Sequence, residues 1–156
     1  LSSGFDKEES LKMLNSRINL MQNKESYSTL DVTILDLYAG KAEIIKNAAC
    51  STYIKNDTDI KKIELDNLPI GIIDNIELQS NTIDINDGDI YIMCSAGVLE
   101  TKDDTKTEWI EEFFKNVSVT NIHKLADMIL AEAIDNNFGI AQDDMTVIVS
   151  KIIKRK

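Results

Sequence analysis

Residues 89–100 read Asp-Ile-Tyr-Ile-Met-Cys-Ser-Ala-Gly-Val-Leu-Glu, and the fold is decided around this stretch. The turn residues Asn86-Asp87-Gly88 precede it, so the apolar run that follows predicts a buried strand. The small residues Ser95, Ala96 and Gly97 predict a tight corner where this strand ends. Because loops held on a rigid scaffold often carry binding and catalytic groups, we expect a functional site at this corner.

A second stretch, near the end of the chain, carries two adjacent carboxylates. It reads Gln142-Asp143-Asp144-Met145-Thr146 and leads into the apolar strand Val147-Ile148-Val149. Carboxylates at the start of one strand, close to the end of another, would provide oxygen ligands for a divalent cation. Each stretch taken alone is better explained as a turn next to a strand.

The first helix is predicted from Asp6 to about Asn23, because apolar residues recur there at helical spacing. Asp6 is a suitable N-cap, and Glu9 three residues later completes a capping box. The expected inner face is the stripe of Leu11, Leu14, Ile18 and Met21, whereas Asn15 and Asn19 are expected to face elsewhere. If this stripe has no neighbour in its own chain, it favours a homodimer.

Alternating apolar residues predict a series of strands joined by short turns. The expected strands are 28–38, 41–47, 51–55, 60–65, 76–85, 89–94 and 144–153. Serial hairpins of this kind predict an antiparallel meander. Helices are expected over 108–116, with an aromatic core face, and from a cap at Thr120 or Asn121 to Asn136. The fold class is therefore α+β, a single domain over 1–156 with stacked antiparallel sheets flanked by helices.

Composition narrows the classes of function. The net charge of −10 argues against nucleic-acid binding, and it fits either a site that holds cations or simply an acidic surface. Cys50 and Cys94 are expected to be reduced thiols, and the single histidine, His123, is expected at the surface. With no leader and no apolar run of membrane-span length, this segment is expected to be cytoplasmic and to make no membrane contact.

Four stretches, in order, resemble one family. Ser95-Ala96-Gly97-Val98 resembles the Ser-Asp-Gly-Val motif of the metal-dependent Ser/Thr protein phosphatases of type 2C (PPM), and Asp143-Asp144-Met145-Thr146-Val147 resembles another of their motifs. Residues 27–42 resemble the family's first retained hairpin, and Leu68-Pro69-Ile70-Gly71-Ile72 resembles its mid-domain loop. The sequences and order of these motifs are similar in particular to those of the phosphatase domain of the stage II sporulation protein E family. The resemblance implies a four-layer α-β-β-α sandwich of antiparallel sheets, incomplete at the N-terminus because the earlier Asp-Gly-Met-Gly motif is absent.

The resemblance also implies an activity. Such a domain removes phosphate from serine or threonine by metal-activated water, using two Mn²⁺ or Mg²⁺ ions. Its substrate would be a phosphorylated anti-sigma factor antagonist in bacterial sporulation, and members of the family carry membrane spans upstream. Asp143 matches a catalytic metal ligand of the family, and Asp144 is placed to assist it. Gly97 would keep the corner tight, and Ser95 would form hydrogen bonds around the site.

One departure from the family bears on the activity. Ala96 stands where the family has a metal-ligand Asp, and a methyl group cannot coordinate a cation. The metal site is therefore expected to be weakened and this chain to be weak or inactive. The alternative is a non-catalytic pseudophosphatase or a partner-binding regulatory module. A generic α+β ligand-sensing domain would leave the four ordered motifs unexplained.

Overall fold

The structure is a computed structural model that describes residues 6–21, 27–101, 108–118, 121–141 and 143–154. The helices in these ranges are α1 (Lys7–Leu20), α2 (Ala96–Leu99), α3 (Trp109–Asn116) and α4 (Ile122–Asn136). The strands are β1 (Leu30–Asp36), β2 (Lys41–Asn47), β3 (Thr52–Lys55), β4 (Ile60–Ile63), β5 (Ser80–Asp84), β6 (Ile90–Cys94) and β7 (Val147–Lys151). The charged run 102–106, whose composition is typical of a solvated loop, lies outside the described residues, as do the basic residues Arg155 and Lys156 at the end of the chain.

The chain forms two compact units, one within 1–49 and 65–84 and the other within 50–64 and 85–156. Each unit contains one antiparallel sheet, with strand order β1-β2-β5 in the first and β4-β3-β6-β7 in the second. The predicted α+β class, with antiparallel sheets and helices, is confirmed. The prediction of an antiparallel meander is wrong, because the hairpin β1–β2 and the hairpin β3–β4 belong to different sheets.

In the first unit, β1 and β2 form the predicted hairpin, with Asp36 paired to Lys41 across the turn. The Asp36 carboxylate accepts hydrogen bonds from the backbone N–H groups of Tyr38 and Ala39, at 3.0 and 2.8 Å, and this tightens the turn. The third strand, β5, spans only Ser80–Asp84, so the strand predicted over 76–85 is too long.

Helix α1 begins as predicted, because Asp6 accepts a hydrogen bond from the Glu9 N–H at 2.8 Å. Its predicted inner stripe is wrong for two of the four residues: Leu11 and Ile18 are half-buried, but Leu14 and Met21 are 40% and 63% exposed, whereas Asn15 is fully buried. The surface that α1 covers is the backbone of the loop after β4, which requires hydrogen bonds rather than apolar contacts. Asn15 accepts from the Gly71 N–H at 2.8 Å and donates to the Ile73 carbonyl at 2.9 Å.

In the second unit, β6 lies between β3 and β7, so the stretch quoted first is a central strand, as predicted. Its buried side chains pack with α3 and α4 in one apolar core. The core members are Tyr53, Ile90, Ile92, Cys94, Val98, Trp109, Ile110, Phe114, Leu125, Ile129 and Ala133. The prediction that the aromatic residues of α3 belong to the core is thereby confirmed for Trp109 and Phe114.

Candidate functional site

The corner after β6 is fastened to the segment before β7 by Ser95. Its backbone N–H donates to the Thr146 carbonyl at 3.0 Å, which extends the ladder one step beyond the pair Cys94–Val147. Its hydroxyl donates to the Asp144 carbonyl at 3.0 Å and accepts from the Thr146 N–H at 2.9 Å. Ser95 therefore fixes the backbone on both sides of Met145, and the acidic segment is held at the corner.

Gly97 brings the two segments into direct contact. A Cβ built on this residue would lie 2.7 Å from the Asp144 carbonyl oxygen and 3.3 Å from the Cβ of Asp143. Contacts under 3.0 Å essentially never occur for real Cβ atoms, so any side chain here would displace the backbone of the acidic pair. The structure thus gives Gly97 a physical role, which is to permit this close approach.

Ala96 lies between these two contact residues and is itself exposed. It is the first residue of α2, a single turn of helix that the sequence analysis did not predict. The flanking residues Ser95 and Gly97 both contact the segment 143–144, so the backbone at position 96 lies next to the segment that carries the two carboxylates. The structure therefore brings together the four residues predicted for the site, namely Ala96, Gly97, Asp143 and Asp144.

The carboxylates of Asp143 and Asp144 are both exposed to solvent. The Asp143 Oδ1 accepts a hydrogen bond from the backbone N–H of Asp144 at 2.7 Å, which orients the carboxylate relative to the turn. Oxygen donors of this kind suit Mg²⁺ or Mn²⁺. These two side chains are the groups at the corner that could ligate such an ion.

The donor set does not fit a complete divalent-cation site. Within the described ranges, no group of three or more His, Cys, Asp or Glu side chains is arranged so that it could hold a metal. The corner offers two carboxylates on adjacent residues, and Ala96 offers no ligand. A pair of hard cations shared between protein ligands requires more carboxylates than these two.

A second set of contacts holds the far end of α2, and the sequence analysis missed it. The buried Asn137 donates to the Glu100 carbonyl at 2.9 Å and to the Ala133 carbonyl at 3.1 Å. The Thr101 hydroxyl donates to the Asn136 carbonyl at 3.2 Å. The available signal was the pair Asn136-Asn137 at a helix end, where side-chain amides often bond to free carbonyls. His123 is exposed on α4, as expected.

Comparison with solved structures identifies the class of protein first. The chain superposes with a TM-score of 0.88 on the PP2C phosphatase domain, solved with a fragment of the regulatory domain, of the cell fate determinant SpoIIE from Bacillus subtilis. The two sequences are 32% identical, and the match covers 97% of this chain and 46% of that chain. The fold is that of the PP2C phosphatases, as predicted. The solved relative is a phosphatase domain, which is the class of enzyme that the sequence motifs predict.

The family follows from the sequence comparisons. A family model described as stage II sporulation protein E (SpoIIE) matches residues 1–153, and the chain belongs to this family. Two relatives named stage II sporulation protein E, from Bacillus subtilis (strain 168) and Priestia megaterium, are 32% and 30% identical over 97% of this chain. The chain spans only 19% and 26% of their lengths. Among the helices that the structure describes, none is long and apolar enough to cross a bilayer.

Proposed function

We propose that this chain forms part of a metal-dependent protein-serine/threonine phosphatase domain. Membership of the SpoIIE family and the likeness to a PP2C phosphatase domain support this assignment. The proposed substrate is a phosphorylated protein, specifically an anti-sigma factor antagonist in sporulation, and the proposed location is the cytoplasm. The observation that carries the proposal is the corner itself, where Ser95 and Gly97 hold the acidic pair against position 96.

The residues of this corner have separate roles in the proposal. Ser95 and Gly97 position the backbone, Asp143 and Asp144 supply carboxylates for Mn²⁺ or Mg²⁺, and Ala96 occupies a position where a further carboxylate is missing. A bound cation in this class of site activates water and neutralises charge on the phosphoryl group. Because the carboxylates described here are too few for two ions, we expect the chain to be weak or inactive as it stands.

A second candidate function is a pseudophosphatase, or partner-binding regulatory module, that binds a phosphorylated protein without turnover. The structure offers one specific reason: the hydrogen bonds of Ser95 and the close packing of Gly97 are intact although position 96 lacks a carboxylate. The backbone contacts that shape the corner are thus present although position 96 has no metal-ligating side chain. A homodimer is also proposed, and it is supported by the exposed apolar residues of α1 and its cap, among them Met13, Leu20 and Met21 at 56%, 68% and 63% exposure.

The test of the first candidate is the substitution Ala96→Asp. Because position 96 is exposed and lies between Ser95 and Gly97, which both contact the acidic segment, the added carboxylate should tighten Mn²⁺ binding by at least roughly tenfold, the lower end of the change seen for altered metal surroundings. Isothermal titration with Mn²⁺ measures the affinity. Ala96→Asn is the matched control, since it has nearly the same shape without the charge.

One result would contradict the proposed role of position 96 in the metal site, and another would contradict the expected weak activity. Equal Mn²⁺ affinity in the Asp and Asn variants would remove position 96 from the metal site. Mn²⁺-dependent hydrolysis of a phosphoserine peptide by the unmodified chain would show that Ala96 does not limit activity. Saturable binding of the same peptide by the unmodified chain and by Ala96→Asp, with turnover in neither, would favour the regulatory module instead.

A further inference from the structure

A cavity of about 140 Å³ lies in the second unit, beside Ile90. Ile90 is the first residue of β6, whereas the corner with Ser95 follows the last residue of the same strand. The cavity is therefore at the other end of the sheet from the candidate phosphatase site. Its volume is about ten times the roughly 10–15 Å³ that a single buried water requires, so a small polyatomic ion fits inside.

The sheet places two lysines at this cavity. Lys55 on β3 and Lys151 on β7 both pair with Ile90, from opposite sides. Residues paired across neighbouring strands project from the same face, and the backbones of the two lysines are separated by two strand spacings, about 9–10 Å. Both side chains line the cavity.

Within the described part of the chain, no carboxylate forms an ion pair with either of these two ammonium groups. Lys55 donates to the Phe114 carbonyl at 2.9 Å, near the C-terminal end of α3. An ammonium group has three donors, so this hydrogen bond fixes the cation and still leaves it able to donate to a ligand.

Neutral donors complete the lining. The Asn56 Oδ1 accepts from the backbone N–H groups of Thr58 and Asp59, at 2.9 and 2.7 Å, so its Nδ2 is the polar end left for a ligand. The Ser118 hydroxyl also lines the cavity. Among the described residues of the lining, Asp57 contributes the one carboxylate, so these residues bring two positive charges and one negative charge.

We propose that this cavity binds a small tetrahedral oxyanion of the phosphate class between Lys55 and Lys151. Charge-assisted hydrogen bonds from two lysines, with neutral donors between them, are the donor set that such an anion requires. The chain as a whole carries a net charge of −10, so its surface repels anions on average. Saturable anion binding would therefore come from a local site and not from general attraction.

The test is isothermal titration calorimetry, in which the chain is titrated with inorganic phosphate at constant ionic strength. We expect saturable binding that weakens roughly tenfold in Lys151→Gln, a change of about 1.4 kcal/mol. Lys61→Gln is the matched control, since Lys61 is an exposed lysine on β4 of the same sheet and does not line the cavity. Lys151→Gln is preferred to Lys55→Gln because Lys55 also holds the end of α3.

Each possible result of this titration either supports or overturns the proposed anion site. Equal weakening in Lys151→Gln and Lys61→Gln, or no saturable binding at millimolar phosphate, would overturn the proposal. If phosphoserine displaces the phosphate, the site accepts phosphate monoesters; if only inorganic phosphate binds, it is a free-ion site, and both results support the proposed chemistry. Neither result depends on phosphatase activity, because position 96 and the acidic pair are unchanged in both variants.

Discussion

Gly97 and Ala96 are neighbours, but the structure constrains them in opposite ways. Gly97 has no room for a side chain, since its Cβ would meet the Asp144 carbonyl oxygen at 2.7 Å. Ala96 is exposed, so its side chain can change without repacking. The proposed metal chemistry of the corner therefore depends on position 96, and the backbone geometry of the corner depends on Gly97.

At the residue scale, we predict that Gly97→Ala destabilises the protein by about 1–3 kcal/mol, because the methyl group must displace the backbone of Asp143 and Asp144. Urea denaturation measures the loss. Ala96→Ser, a substitution of similar size at the exposed neighbour, should change the free energy of unfolding by less than about 0.5 kcal/mol. Similar stabilities for the two variants would show that the backbone of Asp143 and Asp144 shifts at little cost in free energy.

Some residues of the site could be predicted from the sequence and others could not. Asp143 and Asp144 precede an apolar strand, and Ser95 to Gly97 follow another, so their meeting is a consequence of strands pairing in register. Asn15 and Asn137 could not be found in this way, since hydrophobic periodicity treats every amide as a surface group. Both are buried because they bond to backbone groups of segments that are distant in sequence.

At the scale of elements, α1 shows why helix packing cannot always be read from an apolar stripe. The buried side of the helix presents Asn15, and Asn19 adds a hydrogen bond to the Gly71 carbonyl at 3.2 Å. The partner of α1 is thus a loop with unpaired backbone groups, and the position of the loop depends on the amides. By contrast, α3 and α4 cover an apolar sheet face, and the aromatic core face predicted for α3 is confirmed by the burial of Trp109 and Phe114.

We predict that Asn15→Ala destabilises the attachment of α1 by about 1–3 kcal/mol. The substitution removes the hydrogen bonds from the half-buried Gly71 N–H and to the Ile73 carbonyl, and each typical hydrogen bond contributes about 0.5–1.5 kcal/mol to stability. Chemical denaturation gives the total loss, and hydrogen exchange at the Gly71 amide locates it. Ser16→Ala, on the exposed face of the same helix, is the control. Unchanged protection of Gly71 would contradict this account of the helix.

At the scale of the whole molecule, both units contain ionisable groups that make stability depend on pH. A hydrogen bond from Lys7 lowers the pKa of Glu43 in the first unit, and one from Lys62 lowers the pKa of Glu64 in the second. Burial raises the pKa of Tyr53 and the pKa of Tyr91 to about 12, both in the second unit. The carboxylates therefore limit stability in acid, and the tyrosines limit it in alkali.

We predict a plateau of stability between about pH 4.5 and pH 10. The contributions of Glu43 and Glu64 are present above their ordinary pKa of 4.5 and are lost as the pH falls through their lowered values. The contributions of the tyrosines are present below pH 10 and are lost as the pH rises towards about 12. Urea denaturation at a series of pH values measures both limits.

Two substitutions check the causes of this dependence. Lys7→Gln should raise the pKa of Glu43 and so make the loss of stability in acid shallower. Tyr91→Phe should reduce the alkaline loss and cost little at neutral pH, because the Tyr91 hydroxyl is buried without a hydrogen-bond partner among the described residues. An unchanged alkaline slope in Tyr91→Phe would rule out this tyrosine as a cause.

The freedom of position 96 has a genetic consequence. Two of the four alanine codons become an aspartate codon by a single base change, and position 96 is exposed while Ser95 and Gly97 keep the backbone of the corner in place. If the proposed metal site is correct, one point mutation at such a codon adds or removes a carboxylate at the corner while the fold stays intact. Within the family, we expect loss and recovery of the acidic residue to recur on an otherwise conserved corner.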